Sequence, residues 1–234
     1  MCHHPQREKA FAIFHYPCIG RWRFLDLYLA GTPEYPAIVS RLKSGDQALL
    51  DVGCCFGHIL RQLAFDGVPD TQLAGTDLRP EFVDLGYELF RDKDKFAARF
   101  VTGNIFDGAS DDGKAFSQAL DGKFDIIHAA SFFHLFGYDD QLRIGERIVR
   151  FLKPGAKDAL IVGRQVGTHT PVSVEEANRT NQTRYHHNVE SFQKLWDVVG
   201  ERTGTKWRAT GDLQDADMDG VTRTIIRFAV SRVG

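Results

Sequence analysis

Short apolar runs alternate with longer stretches of helical periodicity along most of this chain. Residues 49–52, 72–77, 99–102, 124–130 and 159–164 are runs of the length and content of buried strands. Between them, residues 59–65 have helical apolar spacing. Residues 80–91 place Phe82, Leu85, Leu89 and Phe90 on one stripe behind Pro80, and residues 141–152 do the same with Leu142, Ile144, Ile148, Val149 and Leu152 ahead of Pro154-Gly155. A further helix is predicted from the N-cap Asn188, through Phe192, Leu195, Trp196 and Val199, to Gly204. The regular alternation is that of a doubly wound parallel sheet. At the end, residues 206–213 and 222–233 read as two strands joined by a polar loop, 214–220, too short for anything but an antiparallel pair. The predicted fold is α/β, a Rossmann-like seven-stranded, mostly parallel sheet closed by an antiparallel C-terminal hairpin.

The first stretch does not fit that alternation. Phe11, Phe14, Tyr16, Trp22, Phe24, Leu25, Leu27 and Tyr28 crowd into it, too apolar for a floppy tail. The expected organisation is an N-terminal, aromatic-rich lid or extension over residues 1–44 and one structural domain, the core, over 45–234.

Composition narrows the functional classes. A net charge of −2 over 234 residues gives no basic footprint, so nucleic acid is an unexpected partner. No apolar run is long enough to span a bilayer and none follows the opening Met1-Cys2-His3-His4, so no membrane partner and a cytoplasmic location are expected. Cys2, Cys18, Cys54 and Cys55 have no metal-ligand spacing and read as reduced thiols, with no metal expected. The His3-His4 pair reads as terminus.

The candidate chemistry lies in Leu49-Leu50-Asp51-Val52-Gly53-Cys54-Cys55-Phe56-Gly57-His58, where a strand ends on an acid and opens into a glycine-punctuated turn ahead of a helix. Small residues let the backbone approach a ligand, and the helix supplies N–H groups that face it. A second acid, Asp77, ends the next strand, where a carboxylate can accept both ribose hydroxyls. The dinucleotide fingerprint G-x-G-x-x-G is not met. The pattern D-x-G-x-C-x-G resembles instead motif I of the class I S-adenosylmethionine-dependent methyltransferases, with Cys55 in place of the middle glycine.

Nearly the whole chain resembles the fungal methyltransferases of meroterpenoid and other secondary metabolism. The segments that carry the likeness are Tyr16-Pro17-Cys18-Ile19-Gly20-Arg21-Trp22, Asp51 to Gly57, Gly75-Thr76-Asp77-Leu78-Arg79-Pro80, Ser131-Phe132-Phe133-His134-Leu135-Phe136 and Gly163-Arg164-Gln165. The resemblance implies S-adenosylmethionine as cofactor. Asp51, Gly53, Cys55 and Gly57 would line its methionine end, Asp77 would hold the ribose, and Leu78 would pack on the adenine. Asn104, with Ile105 beside it, stands where relatives place an acid for the adenine amino group. His128 and Ala129 follow the fourth strand, where the family's backbone meets the methionine.

It further implies O-methylation of the carboxyl group of a small lipophilic intermediate, as in terpenoid and polyketide biosynthesis. Phe14, Tyr16 and Trp22 of the lid and Phe133 are the expected substrate wall. Arg164 and Gln165, at the carboxyl edge of the sheet, would hold the acid, with Arg21 and Arg23 as competitors. A carboxylate needs no general base, whereas a phenol, with a pKa of about 10, would profit from His134 or His128, the candidate catalytic residues. Three alternatives stay open: a phenol O-methyltransferase, a non-catalytic cofactor-binding relative and an NAD-dependent enzyme. A homodimer is the candidate assembly.

Overall fold

A computed structural model describes residues 5–107, 111–175, 183–218 and 220–233. Cys2 and the His3-His4 pair lie outside the described residues, as do the side chains of Cys18 and Phe24. The chain divides into two compact units, Met1–Ala119 and Leu120–Gly234.

The first unit opens with helices α1 (Pro5–Ile13), α2 (Pro17–Gly20) and α3 (Tyr35–Ser44), the last two separated by 3-10 turns at Arg23–Leu25 and Tyr28–Gly31. Then follow β1 (Leu49–Val52), α4 (His58–Phe65), β2 (Leu73–Asp77), α5 (Pro80–Phe90), β3 (Arg99–Thr102) and α6 (Asp111–Leu120). Strands β1 and β2, and β2 and β3, pair in parallel, with Asp51 opposite Gly75 and Asp77 opposite Thr102. All four residues of β1 are buried, so its apolar run carries no alternation. The N-terminal segment shares a core with this unit. Ala10 and Ile19 are buried in one cluster with Phe56, Phe82 and Leu85, and Phe11, Phe14, Tyr16, Trp22 and Cys55 pack against it.

The second unit contains β4 (Ile126–His128), α7 (Tyr138–Phe151), β5 (Leu160–Val166), β6 (Val172–Glu175), β7 (Thr183–His186), α8 (Val189–Thr203), β8 (Trp207–Met218) and β9 (Val221–Arg232). Strand β5 pairs in parallel with β4 and antiparallel with β9, which pairs antiparallel with β8. The seven-stranded sheet has the order β3-β2-β1-β4-β5-β9-β8, and β6 and β7 make a separate two-stranded ribbon. Helix α8 begins at the expected cap: Asn188 Oδ1 accepts the Ser191 N–H at 2.8 Å, the Asn188 N–H reaches Ser191 Oγ at 3.1 Å, and Gly204 ends the helix at φ 66°.

Two expectations are corrected here. Residues 214–218 are not loop: they continue β8 in register to Met218 opposite Val221, leaving only the turn between them. Their polarity reflects the outermost position of β8, where both faces of a strand can meet water. Strand β5 runs on to Val166, two residues beyond the predicted end, which makes Gln165 a strand residue.

Candidate functional site

In the first unit the turn after β1 is built on left-handed backbone. Gly53, Cys55 and Gly57 have φ of 72°, 51° and 66°. The first and last suit glycine. At Cys55 a side chain accepts a conformation that costs roughly 1–2 kcal/mol, and its N–H is tied to Asp77 Oδ2 at 2.9 Å. Gly53 and Cys54 N–H groups both reach the Thr76 carbonyl, at 2.8 and 3.0 Å. Gly57 then caps α4 with no side chain on the helix end, leaving first-turn N–H groups without a side-chain cap.

Asp77 is the hub of this arrangement. Besides Cys55, its carboxylate accepts the Arg79 N–H through Oδ1 at 3.0 Å, so it also steadies the entry to α5. Burial pushes its pKa up, the Arg79 and Cys55 N–H donors pull it down, the nearby Asp51 charge pushes it up, and the Leu78 N–H pulls it down again. A carboxylate has about four acceptor sites, and the backbone N–H groups do not fill them all. The neighbouring Cys54 thiol is held well above its usual range by burial, then by the Asp51 and Asp77 charges, and is an inert core group. Asp51 itself is buried at the end of β1.

Leu78, directly after β2, is 56% exposed, an apolar side chain left uncovered beside the acid. Asn104 Oδ1 accepts the Phe106 N–H at 3.1 Å and makes a local turn with one of its two lone pairs, next to a half-buried Ile105. The Phe14 and Tyr16 rings meet tilted at 4.2 Å, Tyr16 lies 6.2 Å from Phe82, and the Arg79 and Arg7 guanidiniums sit over Phe14 and Trp22 at 5.2 Å each. The aromatic segment therefore stands against α5 and the Cys55-Phe56 turn. Arg23 is engaged with Asp26 at 3.4 Å.

In the second unit His128 and Ala129 are buried at the end of β4, and the Ala129 N–H is bonded to Val162 of β5. The strands are close here: a Cβ on Gly163 would lie 2.2 Å from the Ala129 carbonyl oxygen. Phe133 needs a correction. It is fully buried, edge-on to Phe192, Trp196 and Phe228, so it is core and offers no face to a substrate, while the adjoining Phe132 is half-buried.

Arg164 and Gln165 cannot serve one ligand from one side, since neighbouring strand residues point to opposite faces. Gln165 is the buried member, and its Oε1 accepts the His134 N–H at 3.2 Å. His134 has its imidazole pushed down to about 3, first by burial and then by the neighbouring basic groups His186, Arg184 and Arg223. Those three residues carried no sequence signal in isolation. Arg184 and His186 lie on β7, a strand of four residues, too short to show a period.

Comparison with known proteins agrees with this geometry. A family model described as a methyltransferase domain matches residues 50–157, and one described as a meroterpenoid methyltransferase N-terminal domain matches residues 4–25. The chain is 40% identical over 214 residues to O-methyltransferase phiE of Fungal sp., covering 90% of this chain and 69% of that protein. It is 38% identical over 231 residues to the asnovolin E/chermesin D methyltransferase nvfJ of Aspergillus novofumigatus, covering 97% of this chain and 80% of that protein. Among solved structures, magnesium protoporphyrin IX methyltransferase from Synechocystis PCC 6803 with bound SAM shares the fold, with a TM-score of 0.53 at 12% identity over 100% of both chains. With its left-handed turn, its acid at the end of β2 and its parallel sheet closed by a hairpin, the chain belongs to the S-adenosylmethionine-dependent O-methyltransferases of fungal meroterpenoid and secondary metabolism.

Proposed function

We propose that the acceptor is the carboxyl group of a small lipophilic molecule and that the product is a methyl ester. The observation that carries this reading is the state of His134. Efficient proton transfer near neutrality wants a base whose pKa lies near the working pH, and burial holds this imidazole at about 3. It is neutral and weakly basic, roughly seven units below a phenol. A carboxylic acid arrives already ionised and asks for no base. His134 and the strand-bound His128 then act through packing and orientation.

The donor set fits the cofactor that the family requires. Asp77 would hold the ribose, Leu78 and Ile105 the adenine with Asn104 at its edge, and the backbone of Gly53, Cys55 and Gly57, with Asp51, the methionine end. When bound, S-adenosylmethionine supplies an electrophilic methyl on a sulfonium, and the chain has to orient the acceptor and exclude water. Residues 1–44 serve as the cover, in which Phe14, Tyr16 and Trp22 give the substrate an aromatic wall. Their packing on the Cys55-Phe56 turn supports that role.

Methyl-labelled cofactor offered with a prenylated hydroxybenzoic acid tests the reading. So do two blocked forms of it, one with the carboxyl as an amide and one with the phenol as an ether. Label should enter the acid and the phenol-blocked acid and be absent from the amide. Label in the amide but not in the phenol-blocked acid would overturn the carboxyl assignment.

A further inference from the structure

The turn after β1 is tied down at a second point besides Asp77. Arg61, on α4, reaches back over the N-terminal end of its own helix, the direction long helical side chains take. Its Nη1 donates to the Phe56 carbonyl at 2.7 Å and to the Gly57 carbonyl at 3.3 Å. Its Nε and Nη2 donate to the two carboxylate oxygens of Asp92, just beyond α5, at 2.6 and 2.9 Å. The pair is largely buried, and the Phe90 and Phe96 rings lie 4.5 and 4.7 Å from the guanidinium. Helix α5 crowds the same turn: a Cβ on Gly86 would run into the Phe56 carbonyl oxygen.

Stability alone does not call for this arrangement. A cation at the first turn of a helix opposes the helix dipole, and apolar residues of similar volume often match or exceed a buried ion pair in stability. What the guanidinium does is fix two peptide planes. In a planar trans peptide the C=O and N–H point opposite ways, so holding the Phe56 and Gly57 carbonyls sets the aim of the Gly57 and His58 N–H groups. The Gly57 N–H closes the turn on the Cys54 carbonyl at 2.8 Å. The His58 N–H opens α4, at the kind of helix end where backbone N–H groups favour an anion. The methionine end of S-adenosylmethionine carries a carboxylate.

We propose that Arg61, braced by Asp92, is a positioning residue for the cofactor: by holding the Phe56 and Gly57 carbonyls it aims the N-terminal amides of α4 at the carboxylate of the methionine end. The role rests on the reading above, in which this turn takes that end. Arg61 acts through the main chain, and Asp92 balances its charge.

The test is calorimetry on the full chain with two probes. S-adenosylhomocysteine has the amino-acid end, whereas methylthioadenosine keeps the nucleoside and the sulfur and lacks that end. Arg61→Met keeps an apolar stem among the rings and removes every donor. It should bind S-adenosylhomocysteine about tenfold or more weaker, with methylthioadenosine affinity held within about twofold. The double variant Arg61→Met/Asp92→Leu leaves no unpaired carboxylate, so its Tm should return toward that of the wild type while its S-adenosylhomocysteine affinity stays low. Equal loss of both probes, or S-adenosylhomocysteine affinity that is unchanged in Arg61→Met or recovers with Tm in the double variant, would overturn the role. So would a double variant that does not fold, since the pair would then serve the fold itself.

Gly53→Ala, which strains the turn at φ 72° and leaves Arg61 in place, separates this role from the reading beneath it. If Gly53→Ala loses S-adenosylhomocysteine selectively and Arg61→Met does not, the turn takes the methionine end and the role of Arg61 falls. If both variants bind both probes as the wild type does, the reading of the turn falls and the role falls with it.

Discussion

At the scale of single residues, Asp77 ties together two stretches of backbone. It steadies the approach to α5 through the Arg79 N–H and fastens the left-handed turn through the Cys55 N–H, and neither bond exhausts its acceptor capacity. Asp77→Ala should therefore weaken S-adenosylmethionine binding by about 1.5–3 kcal/mol, roughly 10–100-fold. Calorimetry that returned the wild-type affinity would remove Asp77 from the cofactor site. The residues of this turn were legible because backbone geometry dictates them: few side chains other than glycine tolerate positive φ, so Gly53 and Gly57 announce the turn. Phe133 was not legible, because an aromatic in a core and an aromatic lining a pocket have the same sequence signal. For Arg164 and Gln165, the strand had to be extended to Val166 before their opposite faces mattered.

At the scale of elements, the N-terminal segment is packed as core. Ile19 is 1% exposed in one cluster with Phe56 and Phe82, so Ile19→Ala should cost about 2–4 kcal/mol in urea denaturation. A loss below about 1 kcal/mol would show that the segment rests loosely on the core. Helix α8 was read almost to the residue, since a capping Asn188 and a C-terminal Gly204 bracket one continuous apolar stripe. Strand β8 was cut short because Gln214, Asp215 and Asp217 sit on the outermost strand, where burial imposes no alternation. The β6–β7 ribbon was missed for a related reason: strands of four residues leave too few apolar positions to establish a period.

At the scale of the whole molecule, stability should decline in mild acid. Burial holds His187 at about 4 and His134 at about 3, and lowers His186 as well. The unfolded chain, whose histidines titrate near about 6.5, binds more protons than the folded one below that pH. The histidine contribution is thus fully present above about pH 6.5 and drains away as pH falls toward about 4. Thermal unfolding from pH 7 to pH 4.5 should show a falling Tm, with a shallower slope in His187→Asn, whose amide can still meet Ser191. A Tm indifferent to pH across that window would contradict the buried neutral histidines. The central claim, that this methyltransferase esterifies an acid without a general base, is tested most directly by the alkali lability of its product. Labelled methyl transferred to a prenylated hydroxybenzoic acid should be released as methanol by mild alkali. An alkali-stable label, retained as an aryl ether, would contradict it.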